Sequence, residues 1–409
     1  MTLRDALKEI CISSSCSDAD FETEFNPEML DAEFIEQEDD LRLDDESTLE
    51  NIRYCSLPAE LESEILDAVR IVRENPAMRV IGLSIYRSVF LCQNAEPWAW
   101  RPLANVMHGK AGLFYLAVAA GFVPRMKKLH ARLGIAEEIT KNTCYQVCAY
   151  CHNHFAGTGY YGIYPRQLSW LHNYLDPDHF MVRLGRFEFR LMEHYYDGHV
   201  YRHRKTGELV IFAITGLAFD INGFAVESTP DSPERAFESI YREENGFATG
   251  NTVDPYGRTA AEPTTIDLAE YDLVLKKGMP ILDMHIPSGG GMTPAETEKS
   301  FRMAKEFYFA HFDEAHRPVA VVCSSWIFNP NLPEILDPES NLVRLLKRVH
   351  PVPRSSKPTD GLWFIFRHEG AFELLKAPRK TSLQRAVTKF IENGGRWRTG
   401  GMILMMDEI

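Results

Sequence analysis

The chain has 409 residues, 45% of them hydrophobic and 25% charged, an ordinary globular balance at a length that implies two domains. Its 44 Lys+Arg stand against 58 Asp+Glu, and the formal net charge of -14 argues against nucleic acid or an anionic membrane as partner, since both need cationic surface. The start, MTLRDALKEICISSS, lacks signal-peptide character, the apolar run from Ala111 to Val123 is too short to span a bilayer, and the eight cysteines fit reduced thiols, so a cytoplasmic protein is expected.

Residues 18–50 form a dense acidic segment whose one base is Arg42, with Phe21, Phe25, Met29, Leu30, Phe34 and Ile35 scattered through it. That composition reads as a solvated acidic arm over residues 1–57. From Pro58 the pattern turns helical: Leu61, Ile65, Ala68, Val69 and Val72 recur at helical spacing before Pro76. Further helices are expected in IGLSIYRSVFLCQN, PLANVMHGKAGLFYLAVAAG, PRMKKLHARLGI and AEEITKNTCYQVCAYCHNHF, giving an all-helical domain over residues 58–180.

Alternation of Phe187, Phe189 and Leu191 marks a strand, and GELVIFAITGLAF a second. The polar stretch from Ser228 to Glu262 reads as a long loop, a candidate lid. YDLVLKKGMPILDMHIP supplies two short strands broken at Lys277 and Gly278, and PVAVVCSSWIF, GLWFIFR and MILMM supply further strands. LPEILDPESNLVRLLKRVH and TSLQRAVTKFIENGG read as helices. The fold class is therefore α+β, an all-helical N-terminal domain followed by a mixed α/β domain over residues 181–409.

Cys144, Cys148 and Cys151 in CYQVCAYC share the C-x-x-x-C-x-x-C spacing of a radical SAM iron–sulfur triad. A zinc site with His152 or His154 is a further option. With Phe155, however, the three fall at i, i+4, i+7 and i+11 on one helical face uninterrupted by Gly or Pro, which fits core packing. No resident metal is expected.

The segment DMHIPSGGGMTPAETEKS, residues 283–300, joins a strand end to a glycine loop and a helix start. Thr293 as N-cap, Pro294 at the first helical position and Glu296 form a capping box, and such a helix end favours an anion. The loop lacks the Lys-Ser or Lys-Thr of a P-loop and the G-x-G-x-x-G of a dinucleotide fold. HIPSGGGMTPAE, CSSWIFNPNL, PESNLVRLLKR, YGIYPRQLSWLHNYL and RLGRFEFRL together resemble a bacterial acyltransferase family that pairs a helical N-acyltransferase N-terminal domain with a GNAT-like C-terminal domain.

The resemblance implies a GNAT-like domain over 181–409, with acyl-CoA or an acyl carrier thioester as donor and a small-molecule amine as acceptor. Pantetheine would lie in a splay between the strand ending at His285 and the next, PVAVVCSSWIF. Ile286, Ser288, Gly289, Gly290, Gly291, Met292 and Thr293 would line the pyrophosphate loop, and Ser325 and Asn329 would contact pantetheine. Proton transfer to a side chain near neutrality suits His285, with Glu193 and His194 as second candidates, and Ser324 would face the leaving thiolate. Asn341 is read as a helix cap. Two departures stand out: Glu296 and Glu298 bring negative charge to the loop, and no tyrosine follows the CSSWIF strand. A metal protein using the cysteine triad and a non-catalytic binding module on a degenerate GNAT scaffold are the competing readings.

Overall fold

The segment from Pro76 to Phe90 is apolar around most of its circumference and forms a largely buried helix: Ala77, Met78, Val80, Ile81, Leu83, Ile85, Tyr86, Val89 and Phe90 are all buried, and Arg79 and Arg87 reach toward its surface. Asn75 caps it by accepting from Met78 N at 2.9 Å, and Pro76 occupies the first position. The computed structural model describes residues 1–11, 27–91, 103, 106–227, 234–367 and 373–409. They divide into two units, Met1–Leu184 with Pro287–Gly289, and Gly185–Ile286 with Gly290–Ile409.

In the first unit the helices among the described residues are α1 (Leu3–Cys11), α2 (Pro27–Asp31), α3 (Asp45–Tyr54), α4 (Glu62–Glu74), α5 (Pro76–Phe90), α6 (Lys110–Ala120), α7 (Val123–Arg132), α8 (Glu137–Cys144), α9 (Gln146–Thr158) and α10 (Pro165–Trp170). A short strand, β1 (Val182–Leu184), follows. Helix α5 packs closely on its neighbours because Gly82 has no side chain: a Cβ there would lie 2.7 Å from the Phe114 ring.

The described part of the acidic segment is docked, which corrects the expectation of a solvated arm. Leu30, Leu41 and Leu43 are in the core, while Asp31 pairs with Arg4, Glu36 with Arg79, Asp39 with Arg125, Asp45 with Arg73 and Glu50 with Lys127. The best-shielded pair is Arg87–Asp40, bidentate with both N–O distances 2.6 Å and side chains 14% and 6% exposed. Phe21 and Phe25 lie outside the described residues.

In the second unit five strands lie in the order β2-β11-β12-β14-β13, where β2 is Phe187–Glu193, β11 Pro280–His285, β12 Ala320–Ser325, β13 His350–Pro353 and β14 Gly400–Met405. Pairing of β11 with β12 is parallel, and β2–β11, β12–β14 and β13–β14 are antiparallel. Smaller antiparallel sheets are built from β3 (His199–His203), β4 (Leu209–Phe212) and β10 (Tyr271–Leu275), from β5 (Ala218–Phe219) and β6 (Phe237–Glu238), and from β7 (Tyr241–Glu244), β8 (Phe247–Gly250) and β9 (Thr264–Asp267). The chain is α+β.

One face of the five-stranded sheet is covered by α11 (Pro294–His311). Phe301, Ala304 and Tyr308 are fully buried, and the Tyr308 hydroxyl donates to Phe189 O at 2.8 Å. Further helices are α12 (Leu332–Ile335), α13 (Asn341–Arg348), α14 (Leu362–Phe366) and α15 (Ser382–Glu392).

Three expectations for this unit are corrected. The stretch read as a loop carries β6, β7 and β8; Asn245 and Gly246, both at positive φ, turn the β7–β8 hairpin. Residues 228–233 of it lie outside the described region. GLWFIFR is helix α14, not a strand, with Leu362, Ile365 and Phe366 buried at helical spacing, a case where a short apolar run leaves periodicity undecided. The single helix expected from Leu332 to His350 is two, followed by the proline-containing strand β13, which sits at the sheet edge as its prolines require.

Arg87→Ala should cost about 3 kcal/mol, because it leaves the Asp40 carboxylate shielded from water without a counter-charge. Arg79→Ala, which breaks a pair 40% and 48% exposed, should cost at most about 1 kcal/mol. Urea unfolding midpoints at unchanged m-value check both.

Candidate active site

Side chains alternate along β11, so Ile281, Asp283 and His285 share one sheet face while Leu282 and Met284 turn toward α11. The register sets Asp283 opposite Arg190 of β2 and Val322 of β12. Arg190 Nη2 and His285 Nε2 each lie 3.1 Å from Asp283 Oδ2. Burial works to raise the Asp283 carboxyl, but the hydrogen bond and charge of His285 and the charge of Arg190 outweigh it and hold the group below its usual value. The result is an ionised carboxylate that orients a half-buried imidazole.

Parallel pairing between β11 and β12 covers Ile281↔Ala320, Leu282↔Val321 and Asp283↔Val322, and stops. Both strands continue, β11 still paired to β2 through His285 and β12 still paired to β14 through Ser325. A wedge therefore opens at Met284 and Cys323, edged by backbone donors and acceptors that the ladder between these strands leaves unused.

Ser324 lies on the same sheet face as Val322, and its Oγ is the centre of a small polar cluster. It accepts from Arg354 Nε at 2.9 Å and stands 3.1 Å from the Tyr196 hydroxyl. The Arg354 guanidinium lies 3.8 Å above the Tyr196 ring, in space that opens only because Gly401 has no Cβ (one there would sit 2.9 Å from Nε). Tyr195 donates to the Tyr196 oxygen at 3.1 Å, and burial, then that hydrogen bond, push its phenol well up. His194, 3% exposed, is driven down to about 4 by burial, with the charges of Arg354 and His199 adding to it, so it is neutral at physiological pH.

The glycine loop opens with Gly289 and Gly290 at φ +85 and +62, and Gly291 O accepts from Arg186 Nε at 3.2 Å. The capping box forms: Glu296 N donates to Thr293 Oγ1 at 3.3 Å, and Glu296 Oε2 receives both Thr293 N and Oγ1. Its carboxylate is thus committed to the cap. Glu298 is held by Arg348 in a bidentate pair, so the second acid at the loop is neutralised.

The other residues singled out in the sequence fall as follows. Ser288 Oγ makes a long 3.5 Å contact with Ala149 O; Ile286 and Met292 are partly exposed. Ser325 caps the turn Trp326–Phe328, and Asn329, fully buried, accepts from Asn331 N at 2.9 Å. Glu193 is exposed, pairs with Pro280 at the far end of the β2–β11 ladder from His285, and by alternation points to the opposite sheet face, so these two are not brought together. Ser340, not Asn341, caps α13. Cys323 is buried, and burial pushes its thiol well above the usual range.

Cys144 ends α8, and Cys148 and Cys151 follow on α9; all three are core residues. Burial raises each thiol, Cys144 and Cys151 to about 12, so they are protonated where a cluster needs thiolates. Phe155, expected on their apolar face, is 43% exposed near the C-terminal end of α9, and the break at Tyr145 puts Cys144 on the preceding helix. Among the described residues no group of three His, Cys, Asp or Glu is placed to hold a metal ion, and no helix is long and apolar enough to cross a membrane.

Residues 181–404 match the model of the GNAT-like C-terminal domain, and residues 47–176 match that of the N-acyltransferase N-terminal domain. The chain belongs to the GNAT-like C-terminal domain family. No curated protein matches it. Solved structures with the same fold include an acyltransferase in complex with decanoyl-CoA and teicoplanin, at 20% identity and TM-score 0.61, covering 98% of this chain and 99% of that one. Another is an acyltransferase mutant in complex with octanoyl-CoA, at 19% identity and TM-score 0.60 over the same shares.

Within the GNAT-like unit, four residues of the site escaped the sequence reading. Asp283 was legible as the D-x-H partner of His285 on a strand. Tyr196 had no motif to mark it, Arg186 stood within RLGRFEFRL without a role assigned to it, and Arg354 follows β13, itself unforeseen.

At about pH 7.5, Cys144, Cys148 and Cys151 should resist iodoacetamide in the native protein and react fully in urea, as protonated core thiols do. Peptide mass spectrometry reads the outcome, and rapid native labelling of any of them contradicts it.

Proposed function

We propose that the chain transfers an acyl group from acyl-CoA to the amine of a small-molecule acceptor, with the chemistry in residues 181–409. The observation that carries this reading is the parting of β11 and β12 beyond Asp283 and Val322, directly before a glycine loop and a capped helix. A thioester arm laid in that wedge finds backbone groups for its amides, and its pyrophosphate finds Ser288, Gly289, Gly290, Gly291, Met292 and Thr293, with Arg186 as the nearby cation. The acyl-CoA complexes of the same fold support this donor over an acyl carrier thioester.

In this reading His285 removes a proton from the acceptor ammonium, and Asp283 holds the ring in place. The freed nitrogen attacks the thioester carbonyl, whose oxygen turns to the backbone at His285 and Ile286. The C–N bond forms, the C–S bond breaks, and the thiolate leaves toward Ser324 and Tyr196. Tyr196 supplies the phenol that no residue after β12 provides and gives the thiolate its proton; the second proton, shed by the nitrogen as the amide forms, returns through solvent to restore the phenol. Glu193, exposed on the other face, is not given a role.

CoA should raise the melting temperature of the protein, and thiol release from acetyl-, octanoyl- or decanoyl-CoA with a panel of amines should report turnover. Absence of any shift with CoA sinks the reading; binding without turnover on every amine favours a binding module. His285→Ala should lower kcat by about 10²- to 10⁴-fold with little change in the KM for acyl-CoA. Tyr196→Phe should lower kcat by a smaller factor, about tenfold or more, and an unchanged rate would remove the phenol from the mechanism.

A further inference from the structure

On the face of the sheet that carries Asp283 and Ser324 there is a pocket walled by Ile211 of β4, Val352 of β13 and Ile403 of β14, with His194, His199 and Arg354 among its polar lining. Arg354 is 8% exposed, yet among the described residues its guanidinium meets no carboxylate. Nε donates to Ser324 Oγ, Nη1 donates to Pro353 O at 3.0 Å, and the Tyr196 ring lies against the rest. His194 is 3% exposed, and among the described residues neither its Nδ1 nor the buried Nδ1 of His199 has a hydrogen-bond partner.

A guanidinium kept from water without a counter-charge is costly, and buried polar atoms are nearly always satisfied. The other shielded arginines of this unit follow that rule: Arg190 has Asp283, and Arg398 has Asp220 at 2.8 Å. Arg354 and the two imidazoles are instead arranged around an apolar-walled hollow. The open space is small, about 20 Å³, enough for the head of a small anion such as a carboxylate, whose oxygens would take N–H donors from the guanidinium.

We propose that this pocket binds the carboxylate of a substrate, carried either on the acyl group of a dicarboxylic acyl thioester or on an amino-acid acceptor. The pocket's chemistry is independent of the acyl-transfer reading; only the two sources named for the carboxylate rest on it.

The intact protein is titrated calorimetrically with succinyl-CoA, butyryl-CoA, CoA and succinate, and turnover is compared for glycine and glycinamide. Succinyl-CoA binding at least about tenfold tighter than butyryl-CoA assigns the carboxylate to the donor. Glycine acylated at least about tenfold faster than glycinamide assigns it to the acceptor. In either case Arg354→Gln should abolish the ratio. No preference in either arm overturns the proposal, and so does an Arg354→Gln variant that loses charged and uncharged ligands equally. If that variant does not fold, the ratios of the unaltered protein decide. CoA binding without any carboxylate preference leaves the transfer reading standing alone, whereas succinate binding without CoA binding removes that reading and keeps the pocket.

Discussion

Three residues of parallel ladder join β11 to β12, and then each strand goes on bonded only to its outer neighbour. A sheet interior with an unzipped seam is unusual, because every unpaired N–H and C=O there must find another partner. The outer pairings let it persist: β2 holds β11 through His285 and β14 holds β12 through Ser325, so the gap costs no strand its place in the sheet. The site follows from that seam. His285 stands at one lip and Ser324 at the other, and the chain leaves β11 straight into the glycine loop.

Strand alternation divides the labour between the two faces. Leu282, Met284, Val321 and Leu404 turn to Phe301, Ala304 and Tyr308 of α11 and form an apolar layer. Asp283, His285, Ser324 and Arg190 turn the other way. Gly401, on β14 opposite Ser324, leaves the space in which Arg354 crosses the sheet to reach that serine. Charge placement is equally economical. The two acids at the loop that weighed against an anion are each engaged, Glu296 in the helix cap and Glu298 with Arg348, so neither presents a free carboxylate to the loop.

Local signals were legible to the extent that local physics governs them. The capping box at Thr293, the strand ending at His285, the buried run Ala320–Ser325 and the packing of the cysteines as small hydrophobes all appear in the sequence as spacing and residue type. Asn245-Gly246 is a hairpin turn whose first strand, β7 (YREE), is polar and largely exposed, which masked the signal. GLWFIFR was undecidable, since five apolar residues fit a helix turn as well as a strand. The acidic segment misled for another reason: its counter-charges, Arg73, Arg79, Arg87, Arg125 and Lys127, come from other helices.

By itself the sequence determined the class of the fold, the helical first part and mixed second part, the glycine loop with its capped helix, and His285 at a strand end. Those depend on periodicity, capping and turn chemistry within about ten residues. Only the tertiary structure decided that Asp283 and Arg190 face each other, that Glu193 lies on the wrong face, and that Tyr196 and Arg354 converge on Ser324 from segments 128 and 30 residues away. Such meetings are set by strand order and register, which arise from burying all faces of the sheet at once and leave no trace in any single stretch of chain.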